Sequence, residues 1–111
     1  MKFTINRKTW SRGECNSSLY RSDDRKKCCL GFYALACGLK VKDIRDRDEP
    51  SDVDDNKQPK LKALFDRNGG NNDLCRRLIS ANDNKNTTDA RKEKAIKNNF
   101  TKVGVKVEFV N

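Results

Sequence analysis

The chain has 111 residues, of which 37% are charged and 34% hydrophobic, with 25 Lys and Arg, 16 Asp and Glu and no histidine. This length suits a single domain, 1–111, with one modest core, and no run approaches the roughly 20 apolar residues of a membrane helix, so no membrane partner is expected. The lack of histidine removes the usual base for a nucleophilic thiol.

The net charge of +9 is unevenly spread. From Asp43 to Asp55, seven acids against Arg45 and Arg47 make the segment −5 and leave +14 on the rest of the chain. Such a field favours anionic partners: nucleic acid, nucleotides or acidic protein surfaces. Met1 to Trp10 alternates charged and single apolar residues, which predicts no signal peptide, and five cysteines, an odd number, suit a reducing cytoplasm.

In chain order, Lys2 to Asn6 alternates, with Phe3 and Ile5 on one face, as a half-buried strand does. Trp10 and an Arg12-Gly13 turn follow, then Leu19-Tyr20 as a short second strand between loops. Cys28 to Leu39 is the one long apolar run and reads as a buried helix, with Cys29, Phe32, Tyr33, Ala36 and Cys37 facing inward and Gly38 as its stop. Gly31 inside that helix implies a close backbone contact. Residues 40–58 read as an acidic loop or linker.

Pro59 opens a helix with Leu61, Leu64 and Phe65 as its stripe, and Asn68-Gly69-Gly70 ends it. Asn72 caps the next helix, whose inward residues are Leu74, Cys75, Leu78 and Ile79 and whose stop is Asn82-Asp83-Asn84. Thr87 or Thr88 caps a surface helix running to about Phe100, with a thin stripe of Ala95, Ile96 and Phe100. Val105 to Val110 is the cleanest strand. The expected fold is α+β: a small antiparallel sheet that includes both terminal strands, packed with three or four helices.

Trp10 with Gly13, Cys28 to Phe32, Ala36-Cys37-Gly38, Leu78 to Asp83, Arg91, Ile96, Phe100 and Gly104 to Val110 form a pattern that spans most of the chain and leaves 40–58 unmatched. In these residues the chain resembles a group of small uncharacterised proteins of tailed bacteriophages. The resemblance implies an accessory protein acting in the host bacterial cytoplasm, in host takeover or counter-defence, and it transfers no site residue.

Cys29-Leu30-Gly31-Phe32 is similar to the nucleophile turn of papain-like peptidoglycan amidases, but without a base a packing role is expected for the cysteines. No Cys-x-x-Cys pair supports a zinc site among Cys15, Cys28, Cys29, Cys37 and Cys75. A calcium loop through Asp46, Asp48, Asp52, Asp54 and Asn56 lacks the glycine at its sixth position, where Ser51 or Lys57 stands. No metal or other cofactor is expected. The acidic segment reads instead as a solvated loop able to cover a basic pocket until an anion displaces it.

Two basic groups carry interleaved aromatics: Arg7, Lys8 and Arg12 beside Trp10, and Arg21, Arg25, Lys26 and Lys27 beside Tyr20. Cations with aromatics suit a stacked base and its phosphates, and the helix that follows Lys27 offers backbone N–H groups. A third group joins Arg76, Arg77, Arg91, Lys92 and Lys94. The expected function is non-catalytic binding of nucleic acid or a nucleotide signal. The rival is a protein–protein inhibitor that docks on a host or defence enzyme, and a weaker third reading is a thiol-dependent enzyme.

Overall fold

A computed structural model of the chain describes residues 1–13 and 17–111. Strand β1 (Lys2–Asn6) and strand β2 (Lys106–Val110) form a two-stranded sheet. Between them come α1 (Cys29–Ala36), α2 (Val41–Ile44), 3-10 segments at Pro50–Asp52 and Gln58–Leu64, α3 (Asp73–Asp83) and α4 (Asp89–Thr101).

The architecture is α+β-like, with one correction: the strands run parallel, with Lys2 opposite Lys106 and Asn6 opposite Val110, where an antiparallel sheet was expected. Alternation tells which residues share a face and is the same read in either direction, so it never fixed the strand sense. A parallel pair requires a crossover, and here the crossover is everything from residue 7 to residue 105.

Phe3, Ile5 and Val107 face the helices and are at least 94% buried. Phe3, Tyr33 of α1 and Phe100 of α4 meet as three aromatic rings, with centroids 5.1–5.7 Å apart. The helix caps follow from side-chain chemistry. The Asn72 carboxamide oxygen accepts from Cys75 N at 2.9 Å, and Thr88 Oγ1 accepts from Arg91 N at 3.2 Å, each satisfying a first-turn N–H. Gly38, at φ +98°, closes α1 in the left-handed conformation.

Five expectations shift. α1 turns Cys29, Leu30, Tyr33 and Ala34 inward and leaves Ala36 exposed, a rotation away from the expected stripe. The Pro59 helix is a 3-10 segment kinked at Leu61. α4 sends Ile96 and Phe100, both fully buried, into the core. Residues 40–58 form α2 and a 3-10 turn, anchored by buried Ile44, Pro50 and Val53. The Leu19-Tyr20 strand reduces to a single parallel bridge between Tyr20 and Arg45.

Candidate anion-binding site

The N-terminal basic group is built into the frame of the molecule. Arg7 donates to both carboxylate oxygens of Glu93 on α4, through Nε and an Nη at 2.8 Å each. Arg12 donates to Asp89 Oδ2 at 2.9 and 3.2 Å and to the carbonyls of Arg7 and Trp10 at 2.9 and 3.0 Å. Its guanidinium lies 4.6 Å from the Trp10 ring centroid. Trp10 itself is 1% exposed and therefore offers no face on which a base could stack. Lys8 is the exposed cation of this group.

The polar edge of the buried Trp10 ring is met by Asn82, which by sequence reads as part of a helix stop. The Asn82 Oδ1 accepts from Trp10 Nε1 at 2.8 Å and from Cys29 N at 3.0 Å, while its Nδ2 donates to Ser11 O at 3.0 Å and Asp83 Oδ1 at 2.9 Å. All the hydrogen-bonding capacity of the carboxamide is used. This also bears on the start of α1 as a phosphate cradle. The Cys29 N–H belongs to Asn82, and those of Gly31 and Phe32 point to Cys28 O at 3.0 and 3.3 Å.

The same burial quiets the thiols. Desolvation pushes Cys28 up to about 11 and Cys75 up to about 12, and it raises Cys29 well above its ordinary value. A thiol that keeps its proton at neutral pH is a poor nucleophile. Among the described residues no group of three Cys, Asp or Glu side chains is arranged to hold a metal ion, and Cys15, one of the five cysteines weighed for zinc, lies outside them. The acids of the calcium reading diverge: Asp46 goes to Ser22, Asp52 to Glu49 N at 3.3 Å, and Asp54 to Arg47 at 3.5 Å.

From the second basic group, Tyr20 and Arg25 line a cleft. Arg21 N donates to Lys26 O and Arg25 N to Arg21 O, folding residues 21–26 into a tight turn. Parallel pairing of Tyr20 with Arg45 sets this turn beside α2. Tyr20, Ser22, Arg25, Val41 and Arg45 line the resulting space of about 300 Å³, at the small end of ligand pockets. Arg21 is held by Asp24, at 2.6 and 3.1 Å, and those contacts, the Arg21 hydrogen bonds foremost, lower Asp24 to about 2. Lys27 lies 5.5 Å from the Tyr20 ring centroid and 4.7 Å from that of Phe32, and burial lowers its pKa. Lys26 is partly exposed.

Arg25 and Arg45 are exposed, and neither has an ion-pair partner among the described residues. Among the described residues, three non-glycine residues have positive φ: Arg25 at 61°, Asp46 at 56° and Asn111 at 63°. The two interior ones both sit at this cleft, and such conformations gather at functional sites. Arg45 and Asp46 are not legible in the sequence as neighbours of Tyr20 and Ser22, because the bridge that joins the two segments spans 25 positions and leaves no local pattern.

In the third group Arg76 pairs with Asp73 at 2.9 Å, while Lys92 is 5% exposed, with Nζ donating to Thr87 O at 2.9 Å. No helix among the described residues is long and apolar enough to cross a membrane. Comparison of the chain with family models, curated proteins and solved structures gives no match, so a functional reading rests on the Tyr20 cleft itself.

Proposed function

We propose that the chain is a non-catalytic accessory protein of the bacteriophage kind that binds a phosphate-bearing ligand, a nucleotide or nucleic acid, in the Tyr20 cleft. One observation carries this reading. Arg7, Arg12 and Arg21 are paired with carboxylates, whereas Arg25 and Arg45 line one polar cleft with no ion-pair partner among the described residues. Guanidinium forks match phosphate oxygens in geometry and charge, and the partly exposed Tyr20 ring adds an apolar wall.

The test is equilibrium binding of ATP and of a labelled single-stranded oligonucleotide at about 50 and 200 mM salt, where a polyanion loses affinity steeply and a compact nucleotide loses little. Arg25→Gln and Arg45→Gln are each expected to weaken binding about tenfold or more. Arg76→Gln, at an exposed position of α3, is expected to leave it unchanged. Equal binding by all three variants, or none by the native chain at low salt, overturns the reading. A stoichiometric host protein on a ligand-free chain would transfer the function to docking inhibition.

A further inference from the structure

Helix α4 separates its charges by face. At the helical repeat its buried residues Lys92, Ile96 and Phe100 form one side, and Asp89 and Glu93 fall on that same side. Those two acids are taken by Arg12 and Arg7, at 2.9 and 2.8 Å. The opposite arc, about 140° wide, carries Arg91, Lys94, Lys97, Asn98, Thr101 and Lys102, all exposed, with Lys102 still in helical conformation at the cap. The arc holds no acid, and none of its four cations has an ion-pair partner among the described residues. Lys97 also lies 5.8 Å from the Phe109 ring centroid, and the nearby acid Glu108 is itself paired with Lys2 at 2.9 Å.

We infer that the solvent face of α4 is a docking surface for the phosphate backbone of duplex nucleic acid, built on elements other than those of the Tyr20 cleft and independent of what that cleft binds. The composition of the arc selects this partner. Protein interfaces are held by buried aromatic or apolar anchors, and a membrane-surface helix by an apolar face. The arc offers Ala90 as its one apolar residue, so neither partner finds a hold there. Single strands are held by aromatic side chains on which bases stack, and the arc has none. A duplex backbone asks for cations and hydrogen-bond donors, which Arg91, Lys94, Lys97, Lys102 and the Asn98 amide supply. From Arg91 to Lys102 the helix rises about 16 Å, the axial length of about five base pairs, which leaves room for one phosphate against each cation. The division of labour along α4 follows: its acids tie the helix to the N-terminal arginines, and its cations are left over for a partner.

The experiment is fluorescence anisotropy of a short labelled DNA duplex titrated with the chain across a salt series. With four phosphates neutralised, affinity of the native chain is expected to fall about 100-fold between about 50 and 200 mM salt. The triple variant Arg91→Gln, Lys94→Gln and Lys97→Gln keeps Lys102 and is expected to fall only about threefold over that range. Its three side chains are exposed, so the native thermal melt is expected to persist. A charge-matched variant at exposed positions elsewhere, Lys40→Gln, Lys60→Gln and Lys62→Gln, is expected to keep the native salt slope. Equal flattening in both triple variants would assign the binding to net charge and overturns the inference. So does absence of duplex binding at low salt, or tighter binding of the matched single strand. Displacement by polyglutamate as readily as by unlabelled duplex would assign an acidic protein surface and likewise overturns it. Arg25→Gln with Arg45→Gln is expected to keep the duplex salt slope, so failure of the Tyr20 cleft toward ATP and failure of the α4 face are read separately. A duplex RNA of the same sequence separates the sources: equal affinity assigns the phosphate backbone common to both, and a preference names the duplex that α4 fits.

Discussion

Asn82 shows how much one buried amide organises here. Its side chain ties the Trp10 segment, the first turn of α1 and the end of α3 at a single point, and its own carbonyl accepts from Gly13 N at 2.9 Å. Asn82→Ala leaves Trp10 Nε1, Cys29 N and Ser11 O without their partner in a site closed to water, each at a cost of about 1–3 kcal/mol. The expected loss is about 3–5 kcal/mol in a urea titration followed by Trp10 fluorescence. A loss under about 1 kcal/mol would mean that water replaces the amide. None of this was legible locally. An Asn-Asp-Asn run reads as a helix stop, and the partners that make Asn82 structural lie 53 and 72 positions away. Trp10 and its cations likewise share one composition whether the ring is exposed for stacking or sealed in the core.

At the scale of elements, ends were more legible than faces. Asn72, Thr88 and Gly38 act through bonds to their own helices, so their identities announce them. The rotation of α1 was not announced, because a helix that is apolar on nearly every side has no polar stripe to orient it. Its orientation is set by contact: α1 crosses the Leu19 backbone so closely that a Cβ on Gly31 would collide with the Leu19 carbonyl and stand 3.0 Å from Lys27 Cβ. The close approach expected of Gly31 is therefore found, against backbone that has little freedom to yield. Gly31→Ala is expected to destabilise the chain by more than about 2 kcal/mol in a denaturant titration, although alanine is the better helix former. A neutral or stabilising result would separate α1 from the Leu19 backbone. The acidic segment was the least legible, since its buried anchors Ile44, Pro50 and Val53 lie far apart in a polar sequence.

For the whole molecule, charge and burial set the response to pH. Asp24 is held near 2, with Asp43, Asp89 and Glu108 also below their ordinary values through hydrogen bonds to backbone N–H groups or to basic side chains. Depressed carboxyls add stability above about pH 4 that is lost as pH falls toward 2. Cys28 and Cys75 behave oppositely, holding their protons from an ordinary value near 9 up to about 11 and 12. The unfolded chain gives up those protons first, so stability falls as pH rises from about 9 through that range. With no histidine to titrate between, a plot of melting temperature against pH is expected to be level from about pH 5 to 8 and to drop on both sides. Alkaline loss that persists in Cys28→Ala with Cys75→Ala would assign it to other groups. The sense of the two strands carries a mechanical consequence. Held at residue 1 and residue 111, β1 is gripped at its beginning and β2 at its end, and because they run the same way the pull slides one along the other. Every rung from Lys2–Lys106 to Asn6–Val110 then bears load together, where antiparallel strands gripped at the same points would peel apart one rung at a time. The chain is thus fastened across its two ends by a joint that resists tension, with the whole helical body slung between the strands.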